Sequence, residues 1–456
     1  MDLSNYQRKT DIGHVLDAPD MYIGPIQPAE TTNWVAQEGK IVPKTHLHIA
    51  GLYKLFDEVL VNAHDQYIRM KDKSPVSYIQ GSCVDGTITV INDGPGIDIA
   101  MHPEYQVYIP QMIFAELRTS TNYDKGEKKI VGGKNGFGAK LAIIWSSYAK
   151  LETVDATRQL KYTQIFRDNL SVIEKPTITK YTKKPYTSLS FTPDYARLGI
   201  SGLDTDMQQL FERRMMDIAG ITDKKVKVSW NEKLLSVQNF SAYIESYGIE
   251  NKVQETCPRW EYAFALSDEF QQVSFVNGIH TQKGGRHVDY LVNQLTRKVV
   301  AYILAKKKVE VRPSMIKDRL TIFVHCSIEN PTFDSQTKDC LTTPVQQFGS
   351  TCEVSDKVVE KVVKLGFMEL ALRATEQKEL ATVKKQDGVK SRVIRGIPKL
   401  VDANFAGTAK SSECTLILCE GDSAKASVVS GLSKKDRDNF GAVSYTHLTL
   451  PTSDLV

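Results

Sequence analysis

Four polar residues, Glu58, Asn62, Asp65 and Arg69, step along the chain at intervals of four, three and four. Around them Leu52, Leu55, Phe56, Val59, Leu60 and Ala63 recur at intervals of three and four residues, which predicts a helix over about 48–70 with one apolar face. On such a helix the four polar side chains line the other side and can converge on one ligand. Glu58 can polarise water as a general base, the side-chain oxygen of Asn62 is a hard ligand suited to Mg²⁺, and Arg69 can reach a phosphate. That set suits hydrolysis of a phosphate ester or anhydride. For any single one of these residues, an ordinary polar position on a surface helix is the commoner explanation.

Two further stretches strengthen the case. GTITVIND alternates as a strand should and ends in the turn NDGPGID. Asp93 there can accept a hydrogen bond from an adenine amino group, and Gly94 and Gly96 let the chain turn and a base approach closely. In VGGKNGFGAK, residues 131–140, the amides of Asn135, Gly136, Phe137, Gly138 and Ala139 are offered to an anion, with Lys140 beside them and the helical run LAIIWSS after. The stretch lacks the GK[ST] ending of a P-loop and the strand–GxGxxG–helix setting of a dinucleotide fold, so neither applies.

The elements that must position these residues belong to a chain of 456 residues, long enough for about three domains. Lys and Arg exceed Asp and Glu by 58 − 54 = 4, too small a bias to name a partner. Seven scattered cysteines without a CxxC pair argue against a disulfide framework or zinc ribbon and favour a reducing, intracellular compartment. No stretch resembles a signal peptide or a membrane-spanning helix. Alternating runs from Leu151 to Val237 predict more strands, so the first half reads as an α/β sandwich. A second α/β unit is expected from near Ile249, with strands in RWEYAFAL, QQVSFVNG and RLTIFVHCSI and a long helix in VDYLVNQLTRKVVAYILAKK. A long charged helix from Ser355, a basic linker, and an apolar strand CTLIL leading into EGDSA follow.

The ordered set ExxxN, DGPG and GxNGxGxK resembles the GHKL (Bergerat-fold) ATPases. Within them, YQRKTDIGHVLDAPDMYIG, LFDEVLVNAHDQ, TSTNYDKGEKKIVGGKNGFGAKL, SFVNGIHTQKGGRHVDYL, IENPTFDSQTKD and CTLILCEGDSAK resemble, in order, segments of the type IIA DNA topoisomerases of eukaryotes and large viruses, over residues 6–441. A chaperone or mismatch-repair ATPase would share the nucleotide boxes but not QTK together with EGDSA. The resemblance implies an α+β architecture: a GHKL ATPase domain with an N-terminal strap (1–245), a ribosomal-S5-like transducer domain (246–400), and a linker with a truncated Toprim start (401–441). It implies ATP and Mg²⁺, with Glu58 as general base and Asn62 as metal ligand. Arg69, Gly96, Ser120, Thr121, Asn122 and the 135–140 loop would contact the nucleotide, and Asp93 the adenine. Gln336 and Lys338 of the QTK loop would reach the γ-phosphate. Glu420 would bind the Toprim Mg²⁺, in a site left incomplete because the family's later acidic pair and attacking tyrosine have no counterparts here.

The resemblance further implies double-stranded DNA and an ATP-dependent homodimer as partners, and no membrane. Lys306, Lys307 and Lys308 lie in a basic stretch, 305–320, that resembles a DNA-sensing loop. The expected place is the nucleus for a cellular protein, and host cytoplasm or nucleus for a viral one. A binding or dimerisation module without turnover is the alternative. The last residues, VSYTHLTLPTSDLV, resemble the translation of a sequencing-library adapter, so 442–456 is expected to be a non-native tail. The CTLIL strand is expected to lack sheet neighbours, an aggregation hazard.

Overall fold

The computed structural model describes residues 8–117, 119, 129–133, 136–373, 399–433 and 435–445. Its first helix, α1 (Asp11–Asp17), is capped by the Thr10 hydroxyl, which accepts the Gly13 amide. A hairpin of β1 (Ala29–Gln37) and β2 (Lys40–His48) follows, closed by Glu38 and Gly39, both at positive φ, a turn that matches the twist of paired strands.

Helix α2 (Ala50–Met70) forms where the apolar spacing placed it. Leu52, Leu55, Phe56 and Leu60 are fully buried, but so is Asp65, and Glu58 is nearly so; of the four polar residues only Arg69 is exposed. The helix is enclosed on both sides.

A nine-stranded sheet carries it. Its strands are β3 (Tyr78–Val84), β4 (Thr87–Asp93), β5 (Ser146–Asp155), β6 (Leu160–Arg167), β7 (Val172–Ile173), β8 (Thr177–Lys180), β9 (Tyr186–Pro193), β10 (Lys227–Trp230) and β11 (Lys233–Leu234). Their order is β11-β10-β3-β4-β9-β5-β6-β7, with β8 also on β6. Ile88 and Val90 of β4 are buried, while Thr87 and Thr89 on the other face bond to Thr192 and Ser190 of β9. One face is thus apolar and the other polar, as a two-layer sandwich requires. Helix α2 packs on β4, α4 (Gly138–Ile144) on β5 and β9, and α5 (Thr205–Ile221) on β10, while the short α3 (Ile109–Ala115) lies against α4. Helix α4 stops at Ile144; Ser146 and Ser147, expected in the helix, begin β5.

After α6 (Phe240–Glu245) comes a five-stranded sheet of β12 (Val253–Cys257), β13 (Trp260–Leu266), β14 (Gln271–Val276), β15 (Ile279–His280) and, past β16 (Gly284–Gly285), β17 (Leu320–Cys326), in the order β12-β13-β17-β14-β15. Strands β14 and β17 are parallel, as the long α7 (Arg286–Lys307) between them demands. Phe275 and Phe323 of this sheet join the same apolar cluster as the first sheet, through Tyr243 and Tyr247. Strand β18 (Cys340–Leu341) pairs with β16, where a side chain on Gly285 would strike the Leu341 backbone.

The chain packs as two units, Met1–Lys298 with Ile316–Leu365, and Val299–Met315 with Gly366–Val456. Part of the expected basic loop is helical: Lys306 and Lys307 end α7, and α8 (Pro313–Lys317) follows. The charged helix expected from Ser355 is also interrupted: α9 (Asp356–Val362) runs into a kink at Gly366, whose φ of 125° is not helical. In the second unit, β19 (Leu400–Val401), β20 (Thr415–Glu420) and β21 (Phe440–Tyr445) form a sheet ordered β19-β21-β20, with α10 (Gly421–Gly431) against it. The CTLIL strand, expected without neighbours, pairs in parallel with β21, its one strand partner among the described residues. Ala442–Tyr445 of the expected tail belong to that strand; the rest of the tail, and 384–398 of the basic linker, lie outside the described residues.

Candidate functional site

A cavity of about 460 Å³ runs along α2. Glu58, Asn62, Gln66 and Arg69 line it from the helix, eleven residues or roughly 16 Å of axis from first to last. Its floor is Val90 and Asn92 of β4 and Thr187 and Leu189 of β9. Gly96, Ile97 and Asp98 bound it after β4, Thr119 before the Gly-rich loop, Gly136–Lys140 within that loop, and Gln336 and Lys338 close it from a segment nearly three hundred residues away.

Gly96 has φ 74°, and a side chain on it would overlap the Val154 carbonyl oxygen at 1.8 Å, so only glycine fits. Asp65 does not face the cavity. Its two oxygens accept the Gly132 and Gly133 amides at 2.7 and 2.8 Å, fastening the Gly-rich loop to α2. Burial pushes its carboxyl up, against the opposing pull of Arg69 and those amides. Gly138 then lies so close to α2 that a Cβ there would be 2.4 Å from Glu58 Oε2.

Glu58 is the most constrained group in the cavity. Its Oε1 accepts from Lys54 Nζ at 2.8 Å and from Lys338 Nζ at 3.1 Å. Burial alone would raise this carboxyl; the two ammonium groups outweigh burial and hold it down at about 2. Lys54 also reaches Asp57 Oδ2 at 3.5 Å and the Thr337 carbonyl at 3.3 Å, tying α2 to the 335–338 segment. Lys140, buried, donates to the Thr119 carbonyl and hydroxyl and to the Gly136 carbonyl, and burial lowers its ammonium to about 8.

The adenine-contact expectation at Asp93 requires correction. Asp93 and Asn92 are neighbours in a strand and point to opposite faces. Asp93 turns away from the cavity, accepting the Ser77 and Tyr78 amides and the Ser77 hydroxyl, and pairs with Lys184 at 2.6 Å. Asn92, on the same face as Val90, lines the cavity instead. The strand's period of two, counted from Val90, carried that information. Lys54 was likewise legible as the residue one turn before Glu58, whereas Thr187 had no local signal.

Glu58, Asn62, Arg69, Gly96, Gly136, Phe137, Gly138, Ala139, Lys140, Gln336 and Lys338 are brought together around one cavity. Ser120, Thr121, Asn122 and Asn135 lie outside the described residues. Glu420 ends β20, and among the described residues no group of three or more His, Cys, Asp or Glu could hold a metal ion. Lys306, Lys307 and Lys308 are exposed at the end of α7, a placement that also complements the helix dipole.

A family model described as DNA gyrase B matches residues 222–389. A DNA topoisomerase 2 of Candida glabrata is 41% identical over 461 residues, 96% of this chain and 33% of that protein. One of Acanthamoeba polyphaga mimivirus is 40% identical, over 96% of this chain and 36% of its own length. The chain thus spans about a third of the length of the curated relatives it matches. The crystal structure of the ATPase region of Saccharomyces cerevisiae topoisomerase II superposes with a TM-score of 0.77 at 40% identity, covering 82% of this chain and all of that one. The ATPase and transducer domains of Balamuthia mandrillaris DNA topoisomerase II give 0.78 at 38% identity, covering 83% and 99%.

Proposed function

The chain belongs to the type II DNA topoisomerases, as a counterpart of their ATPase and transducer region, and from that premise we propose that its cavity binds and hydrolyses ATP. The observation that carries the proposal is the meeting of Glu58 and Lys338, 280 residues apart in sequence, at the end of a cavity that also holds Lys140 and the Gly136–Ala139 turn. Adenine would lie over Val90 and Leu189 with Asn92 and Thr187 as its polar partners. The phosphates would run along α2 toward Lys140, Gln336 and Lys338. Asn62 fits Mg²⁺ as a single protein oxygen, consistent with a metal held mainly by phosphates and water; when bound, the metal would neutralise phosphate charge.

In this arrangement Glu58 is a poor base, because two ammonium groups stabilise its carboxylate. A γ-phosphate that drew Lys338 away would remove one of them and raise the basicity of Glu58 toward an attacking water. Lys338 would then stabilise charge on the phosphoryl group. The pairing would thus keep the base quiet until nucleotide is present. By the same reading, two chains would dimerise on ATP and capture double-stranded DNA, with the exposed Lys306–Lys308 as phosphate contacts whose grip weakens with salt. In a longer protein this would serve the passage of one duplex through another.

The test is steady-state phosphate release with and without DNA, alongside sedimentation with a non-hydrolysable nucleotide. Glu58→Gln should lower turnover by about 10²–10⁴-fold while leaving nucleotide-driven dimerisation intact. No turnover in the wild type would defeat the enzyme reading, and dimerisation alone would leave a binding module.

A further inference from the structure

Two of the seven cysteines meet beside the edge strand β12 of the second sheet. Cys257 ends β12 and Cys352 lies in the segment ahead of α9, 95 residues further on, yet their Sγ atoms are 2.9 Å apart. Both are free thiols. Bonded sulfurs sit about 2.05 Å apart, so joining these two needs a movement of only roughly 1 Å.

The seat is built on both sides. The Cys352 amide donates to the Tyr290 hydroxyl at 3.3 Å, and its carbonyl accepts from Gln294 Nε2 at 3.0 Å, so α7 holds its backbone. On either side of it, Trp260 Nε1 donates to Ser350 Oγ at 2.9 Å and Ser355 Oγ donates to Glu255 Oε1 at 3.0 Å. The β12–β13 hairpin and the segment around Cys352 are thus laced together independently of the sulfurs. Their accessibility differs: Cys257 is half-buried, whereas Cys352 is 1% exposed. Burial, reinforced by the adjacent Cys257, pushes the Cys352 thiol up.

We propose that Cys257 and Cys352 form a reversible dithiol site, oxidised to an intramolecular disulfide by a small disulfide such as oxidised glutathione. Cys257, the reachable thiol, loses its proton to solvent and attacks one sulfur of the small disulfide. The S–S bond breaks, one glutathione leaves as thiolate, and a mixed disulfide remains on Cys257. That leaving thiolate, or water, takes the Cys352 proton. Cys352 sulfur then attacks Cys257 sulfur and expels the second glutathione. Two protein thiols are oxidised and one small disulfide is reduced to two thiols. The product would staple the hairpin to the segment entering α9 and close a loop of 95 residues, a long span for a cross-link to restrain in the unfolded chain. Because α9 leads toward the kink at Gly366, oxidation would fix the end of the first unit from which the chain departs.

The experiment equilibrates the full chain in buffers of stepped reduced-to-oxidised glutathione ratio, quenches with acid, alkylates, and maps peptides without reduction. The expected result is one linked pair, the peptides of Cys257 and Cys352, with the denatured-state thiol count falling from seven to five and recovering with dithiothreitol. Thermal unfolding should shift upward in the linked form only. Cys257→Ser and Cys352→Ser should each abolish the linked peptide; if either fails to fold, the wild-type linkage map still decides. A persistent glutathione adduct on Cys257 without transfer, linkage spread over other cysteines, or seven thiols at every ratio would overturn the proposal.

Discussion

Replacing Lys54 by methionine removes one of the two ammonium groups on Glu58 while keeping most of the side-chain volume. The wild-type carboxyl sits at about 2 against an ordinary 4.5, despite burial that acts in the opposite direction. That net shift corresponds to about 3 kcal/mol. Lys338, at 3.1 Å, and Lys54, at 2.8 Å, share that effect, so removing Lys54 takes away a substantial part of it. Removing one partner of a buried pair typically costs about 3–5 kcal/mol; with Lys338 still in place, about 2–3 kcal/mol is expected here. The sign with pH follows from the depressed pKa. Its contribution is complete above the unfolded value near 4.5 and is lost as pH falls toward 2. Urea denaturation of wild type and Lys54→Met should therefore differ most at neutral pH and converge between pH 4.5 and 2, with Lys54→Arg intermediate. Equal midpoints at pH 7, or a gap unchanged at pH 3, would refute the charge-pair account.

Asn92→Ala should weaken nucleotide binding about tenfold, the loss of one hydrogen bond, whereas Asp93→Ala should leave affinity nearly unchanged and cost about 1–3 kcal/mol of stability by stranding the Ser77 and Tyr78 amides; calorimetric titration and denaturant unfolding separate the two. Gly138→Ala places a Cβ 2.4 Å from Glu58 Oε2 and should lower phosphate release far more than it lowers the unfolding midpoint, read side by side in one preparation. Lys140, lowered to about 8 by burial, is charged below that pH and neutral above it. Nucleotide affinity should therefore fall as pH rises past about 8, by up to about tenfold per unit, and Lys140→Gln should flatten the profile.

Much of the architecture was legible because it is written in local periods. The three- and four-residue spacing from Leu52 to Ala63 is a helix wherever it sits, and the alternation of Thr87–Asn92 is a strand. The misreadings came where a local signal was outvoted. Gly366 breaks a helix that its charged neighbours favour, because its φ of 125° lies outside helical geometry. Ser146 joins β5 rather than α4, since Trp145 closes the helix against the core. The CTLIL strand found a neighbour in β21, which begins at Phe440 and runs on into residues expected to be foreign to the fold.

Most element types and the order of the nucleotide boxes were set by the sequence alone, because these depend on neighbours along the chain. Only the tertiary structure decided which face of β4 meets the cavity, and so exchanged Asp93 for Asn92. It alone set Asp65 to holding the Gly-rich loop, brought Lys338 onto Glu58 across 280 residues, and laid Cys352 beside Cys257 across 95. The physical reason is common to all four: a residue's type fixes what it can bond, but the packing of elements distant in sequence fixes which partner it finds.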